Sequence, residues 1–168
     1  ADGFLCAPLQ LAGMIAALTE RVRISVSALL VPLHDPLRLA EDIALLDLVS
    51  AGRFSATCGL GYRESEYRCF GVSWERRGQV FDEKLDLLLH ALKGSSVSSN
   101  GKSTRLNPVP GSPVRSLIMV GGNSKAAARR AARFHLYFCP AIDDPELEEA
   151  YRIACREHGF KSGFTISP

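Results

Sequence analysis

Apolar positions along this chain recur with two alternating periods. Pro8 opens a stretch in which Leu9, Leu11, Ala12, Ile15, Ala16 and Leu18 fall at helical spacing. Arg21 and Arg23 close it, where a helix dipole favours cations. Val22 to Val31 then runs almost unbroken in apolar and β-branched residues, the pattern of a strand in a parallel sheet. Pro32 and Pro36 bracket a short loop holding His34 and Asp35. Asp35 is placed to cap a second helix with Pro36 as its first residue. Leu37, Ala40, Ile43, Ala44, Leu46, Leu48 and Val49 mark the expected buried stripe of that helix, and Gly52 ends it.

The alternation continues to the C-terminus. Phe54 to Cys58 reads as a strand, followed by the turn Gly59-Leu60-Gly61-Tyr62 and a polar, irregular or shortly helical segment from Arg63 to Gly71. Gln79 to Leu92 predicts a third amphipathic helix. Ser95 to Ser112, rich in Ser, Gly, Asn and Pro, has the composition of a linker-like insertion. Arg115 to Val120 predicts another strand, ending in Gly121-Gly122, and Asn123 or Ser124 caps a helix that runs through Arg133. His135 to Cys139 is the next strand, and Asp143 or Asp144 with Pro145 starts a last helix to His158. Phe164 to Pro168 is expected to begin a fifth strand. Strands and helices alternating at this spacing indicate a single α/β unit over residues 1–168, built on a parallel sheet. Pattern alone leaves both an open and a closed sheet possible.

Composition narrows the class of partner. A net charge of +2 is close to balance, so it indicates neither nucleic acid nor an anionic membrane surface. No apolar run approaches the roughly 20 residues of a bilayer span, and the N-terminal residues do not read as a signal peptide. Five cysteines are scattered with no C-x-x-C pair, which argues against a zinc site or a disulfide framework and for reduced thiols in the cytoplasm.

Two glycine turns hold the candidate chemistry. Gly59 to Tyr62 follows a strand directly, and its glycines suit either a tight βα turn or the close approach of a ligand to the main chain. Gly121-Gly122-Asn123-Ser124 opens a helix at once, so free amides and the positive dipole end suit either a phosphate or simple capping. Ser25, Ser27 and Ala28 are small residues in an otherwise bulky strand, leaving room for a flat group or merely packing closely. His34 is a candidate proton donor or ring contact, with a solvated loop histidine as the plainer alternative. Arg63, Glu64, Glu66 and Arg68 read as a solvated mixed-sign face. Arg76 and Arg77 beside Trp74 offer an anion contact or a surface role, and Asp82 with Glu83 suits the acidic first turn of the third helix.

The order of these features is more specific than any one of them. Pro36 to Asp42, Leu46-Asp47, Ser50-Ala51-Gly52-Arg53-Phe54 and Gly59-Leu60-Gly61 resemble the barrel core of the bacterial-luciferase-like monooxygenases. Glu66, Phe70-Gly71, Arg76 or Arg77, and Phe81-Asp82-Glu83 continue the resemblance, as do Gly121 to Ser124 and Ala126 to Arg133. It implies a (β/α)8 TIM barrel, reduced FMN or a deazaflavin coenzyme, and oxygen insertion or hydride transfer on a small organic substrate. By position, Gly61 and Tyr62 lie near the cofactor phosphate, and Gly122, Asn123 and Ser124 supply its other contacts. Ser27 and Ala28 match the strand end against the isoalloxazine ring, where the family often has a non-proline cis peptide. Arg53 is implied as a structural anchor and Glu66 as a residue of variable role; no catalytic residue is assigned.

A whole barrel takes about 250 residues. The resemblance therefore implies an incomplete one, from the second helix to near the seventh strand, with about five strands present. Open sheet edges invite association. The alternative expectation is a non-catalytic, shortened barrel that self-associates as a dimer and binds flavin weakly or not at all.

Overall fold

The computed structural model describes residues 7–99 and 101–163. Helix α1 (Pro8–Leu18), strand β1 (Ile24–Leu30) and a short 3-10 turn (Val31–Leu33) lead into α2 (Pro36–Val49) and β2 (Phe54–Gly59). Then come α3 (Glu64–Cys69), α4 (Arg77–Leu92), a hairpin of β3 (Ser96–Ser99) and β4 (Lys102–Arg105), and the single turn α5 (Val114–Leu117). Strand β5 (Ile118–Gly121), α6 (Lys125–Arg133), β6 (Tyr137–Cys139) and α7 (Pro145–Glu157) complete the described chain. Strands β1, β2, β5 and β6 form one parallel sheet in that order. The fold is thus α/β with a parallel sheet, as the alternation of periods predicts. The fifth strand expected at Phe164 to Pro168 lies outside the described residues.

Successive strand residues point to opposite faces. Val26, Ala56 and Ile118 lie in register, as do Cys58, Val120 and Phe138, and all of them are buried in the core shared with the helices. The other face aligns Ser27, Thr57, Met119 and Tyr137. On β1 and β2 this face is small and polar, whereas β5 and β6 place Met119 and Tyr137 on it. The small residues noted in β1 are half of this alternation.

Several boundaries shift for identifiable reasons. Helix α1 ends at Leu18, where the Thr19 hydroxyl donates to the Ile15 carbonyl at 2.7 Å, so Arg21 and Arg23 lie beyond the helix rather than in its last turn. Strand β6 begins at Tyr137, not His135, because His135 adopts φ 56° and closes α6. Its N–H donates to the Ala132 carbonyl and that of Leu136 to Ala131, a left-handed helix end. Residues 115–117 form a helical turn after Pro113 instead of the start of β5. Ser124 and Asp144, rather than Asn123 and Asp143, are the caps, accepting from the N–H groups of Ala127 and Glu146.

The linker-like insertion at 95–112 contains the β3–β4 hairpin. Val97 is its buried anchor and Gly101, at φ 74°, supplies the turn geometry. Beyond the hairpin the Ser112 N–H donates to the buried Asp47 carboxylate at 2.9 Å, fastening the returning chain to α2. Leu48 and Val49, expected in the buried stripe of α2, are exposed, as are Leu11 and Leu18 among the apolar positions of α1, and with Met14 and Leu45 they make an apolar surface on α1 and α2. Among the described residues, no helix is long and apolar enough to cross a membrane.

Candidate functional site

The carboxyl ends of all four parallel strands meet at one cleft of about 430 Å³, within the range of small-molecule sites. From β1 it takes Ser27 and Ala28, from β2 Thr57 and Gly59, from β5 Val120 and Gly121, and from β6 Cys139. Ligands of parallel α/β folds bind at such strand ends. The loops above contribute Gly61 and Tyr62 on one side and Gly122, Asn123 and Ser124 on the other. All seven residues that the resemblance places at the cofactor thus line a single cleft.

The backbone around it is specialised. The Ser27–Ala28 peptide bond is cis, at the position where the resemblance implies one. Gly61 has φ 76° and Gly122 has φ 138°, conformations that favour glycine. At Gly122 an added Cβ would sit 3.0 Å from the Ala127 methyl, and at Gly59 one would sit 3.3 Å from that of Ala28. These glycines keep the cradle between α6 and the strand ends open.

At the head of α6, Ser124 Oγ accepts from the Ala127 N–H at 3.2 Å. The N–H groups of Lys125 and Ala126 precede the first intrahelical bond and carry the positive end of the dipole. Asn123 has a second task that its sequence position does not reveal: its Oδ1 accepts from the Ala141 N–H at 2.9 Å, tying the β5 loop to the β6 loop. Across the cleft Tyr62 is 75% exposed with the Arg63 guanidinium over its ring. The free N–H groups at the head of α6 and the small residues of β1 are chemically suited to an anionic group and a flat one, respectively.

A comparison with known proteins fixes the ancestry. The model of the luciferase-like monooxygenase family matches residues 1–166. The chain belongs to that family.

This luciferase-like chain is 32% identical over 100 residues to the alkanal monooxygenase beta chain of Photorhabdus luminescens, covering 60% of itself and 31% of that protein. Its fold superposes with a TM-score of 0.79 on the FMN-bound oxygenating constituent of 3,6-diketocamphane monooxygenase from Pseudomonas putida, at 17% identity, covering 99% of this chain and 54% of that one. The same TM-score, at 15% identity, relates it to an F420-dependent secondary alcohol dehydrogenase, over 98% and 55% of the two chains. The solved neighbours are TIM-barrel enzymes, and the luciferase-like chain spans about half or less of the length of the relatives it matches.

Other sequence candidates lie elsewhere. His34 is not among the cleft residues; it packs toward α4, where the Lys84 ammonium donates to the Pro32 and His34 carbonyls at 2.6 and 2.7 Å. Burial, then the nearby Lys84, lowers the His34 pKa, and burial lowers that of Lys84. Glu66 does not line the cleft either. Arg76 reaches Gln79, and the Arg77 guanidinium stacks 3.9 Å over the Trp74 ring, so neither faces the cleft. Asp82 lies in the second turn of α4, which starts at Arg77, and it pairs with Arg130 and Arg133 instead of capping. Burial pushes the Cys58 thiol up to about 12, so it stays protonated behind the cleft. No cluster of three or more metal-ligating side chains occurs among the described residues.

Thr57, Phe81, Arg130 and Cys139 are cleft residues that the sequence reading did not nominate. Thr57 carried a usable signal: with Ser55 it is a polar residue alternating with apolar ones in β2, on the face that Ser27 occupies one strand away. Arg130 gave none, because an arginine on a helix made only of alanine, arginine and lysine reads as solvated.

Proposed function

We propose that this chain holds a flavin-type cofactor, FMN or a deazaflavin, in the strand-end cleft and serves oxygen insertion or hydride transfer on a small organic molecule. One observation carries this reading: in a member of the luciferase-like family, Ser27, Ala28, Gly61, Tyr62, Gly122, Asn123 and Ser124 line one cleft. Ser27 and Ala28 would lie against the ring. The main-chain N–H groups at Gly61 and Tyr62, and those from Gly122 to Ala126, would hold the phosphate, with the Ser124 hydroxyl beside them. When bound, the cofactor supplies the redox chemistry, while the protein supplies orientation and electrostatics. Thr57 and Gly121 beneath the cleft hold its floor, and Tyr62 stands at its mouth where it would cover a ring from solvent.

Titration of the purified protein with FMN and with a deazaflavin coenzyme, followed by quenching of cofactor fluorescence, tests the reading. Saturable binding of one of them in the micromolar range is expected. Absence of saturation up to about 1 mM, the limit of meaningful affinity at roughly −4 kcal/mol, would sink it.

The second reading, a shortened barrel that self-associates with little or no flavin binding, draws on a different observation. Leu18 is 83% exposed and Leu45 59%, and with Met14, Leu48 and Val49 they leave an apolar surface on α1 and α2. Such contiguous surface marks contact sites. A homodimer through these helices is expected by sedimentation, and Leu45→Glu combined with Leu48→Glu should leave a monomer. A wild-type monomer at about 100 µM, a concentration well above that needed for any interface of ordinary strength, contradicts it. The buried, unpaired thiols of Cys58, Cys139 and Cys155 support a reducing, cytoplasmic setting.

A further inference from the structure

One carboxylate and two guanidinium groups cluster where α4 meets α6, and one of the guanidiniums, that of Arg130, lines the cleft. Arg130 Nε donates to Asp82 Oδ1 at 2.5 Å, and Arg133 Nη2 to Asp82 Oδ2 at 2.8 Å. The Arg130 side chain is only 14% exposed, whereas that of Arg133 is 49% exposed. A guanidinium keeps its charge even when buried, so this cluster carries a net positive charge that Asp82 alone does not cancel.

Arg130 is also held from other sides. Its guanidinium carbon lies 5.2 Å from the centre of the Phe81 ring, a cation–π contact, and Phe81 itself lines the cleft. Its Nη2 also lies beside Gly78 in the first turn of α4, where a Cβ would sit 3.4 Å away in ordinary van der Waals contact. The bond to Asp82 uses Nε, and a guanidinium carries four further N–H donors on its terminal nitrogens. Arg130 shares the cleft wall with Gly61, Gly122, Asn123 and Ser124.

We propose that Arg130, aimed by Asp82 and Phe81, is the cationic contact for the phosphate of the cofactor, and that it makes this cleft select phosphorylated over unphosphorylated flavins. The proposal rests on the flavin reading above and adds a residue and a discrimination to it. Main-chain N–H groups alone supply partial charges; a buried guanidinium supplies a whole one, with the fork geometry that suits phosphate oxygens.

The test measures dissociation constants for FMN against riboflavin, and for coenzyme F420 against its unphosphorylated deazaflavin core. Wild-type protein, Arg130→Met, Arg130→Gln and Arg133→Met are compared, with circular dichroism to confirm folding. Arg130→Gln keeps an N–H donor for Asp82 without the charge, so the measurement survives if Arg130→Met does not fold. Wild type should prefer the phosphorylated form of the cofactor it binds. Each folded Arg130 variant should lose about tenfold or more of its affinity for that form, with the unphosphorylated form held within about twofold. Arg133→Met should leave the preference unchanged. An equal loss for both forms, an unchanged preference in the Arg130 variants, or an equal effect of Arg133→Met would overturn the assignment and leave the flavin reading standing. A wild-type protein that binds none of the four compounds would remove the flavin reading, and this inference with it.

Discussion

Arg53→Met is expected to lower the stability of this protein by about 3–4 kcal/mol, the largest loss anticipated for any residue outside the hydrophobic core. Its guanidinium donates to five acceptors: the carbonyls of Ser50, Val22, Ala16 and Thr19, and the Thr19 hydroxyl, at 2.7–3.0 Å. Ala16 and Thr19 belong to the end of α1, where carbonyls have no N–H partner in their own helix. Ser50 ends α2, and Val22 lies in the link to β1. One side chain thus closes two helix ends and the entry to the first strand. The charge also complements the negative ends of both helix dipoles. Methionine retains the aliphatic stem, so the measured loss reports the hydrogen bonds and charge rather than packing.

For a chain of this size that loss corresponds to a fall in melting temperature of about 10 °C. Arg53→Lys should recover only part of it, since an ammonium has three donors and no fork. Thermal unfolding followed by circular dichroism decides the matter, and a change within about 0.5 kcal/mol, the usual size for a surface residue, would show that the five bonds are replaced by water at no cost.

How far the sequence foretold this molecule follows from the reach of each signal. The parallel α/β fold was legible because the two hydrophobic periods, 2 and 3.6, alternate over the whole chain. Arg53 was legible as an anchor through the resemblance alone, by its place in an ordered motif. The glycine turns at the strand ends were legible locally as turns, and the resemblance joined them with Ser27 and Ala28 into one set. What the sequence hid depends on distance along the chain. Asp82 and Arg130 are 48 residues apart and meet only because α4 and α6 are both packed on the sheet. Local composition sees one as a helix-start acid and the other as surface. The exposed leucines of α1 and α2 mislead in the opposite way: periodicity says that a residue is apolar on one face, not that anything covers that face. His135 shows the limit for boundaries, because a left-handed histidine ending a helix has no distinctive sequence sign.

Gly121→Ala is expected to cost about 1–3 kcal/mol of stability and at least tenfold in flavin affinity, although it adds only one methyl group. A Cβ at this position would lie 2.6 Å from Thr57 Cγ2 and 3.3 Å from the Cys139 carbonyl oxygen. The first distance is far inside van der Waals contact, and neither neighbour can move freely: Thr57 is 3% exposed within the central strand β2, and Cys139 pairs with Gly121 across β5 and β6. Because Thr57 and Gly121 both line the cleft, the displaced groups must intrude where the cofactor would lie or spread the strands that support it. The clash has a specific remedy. Thr57→Ser deletes Cγ2 and keeps the hydroxyl, so in the double variant the 2.6 Å contact disappears and only the 3.3 Å one remains. Stability and affinity should both recover substantially in Gly121→Ala/Thr57→Ser, with a coupling of about 1–2 kcal/mol between the two sites. Strictly additive effects in the double-mutant cycle would mean that the strand ends relax around a methyl group, and that glycine at 121 is not what keeps the floor of the cleft open.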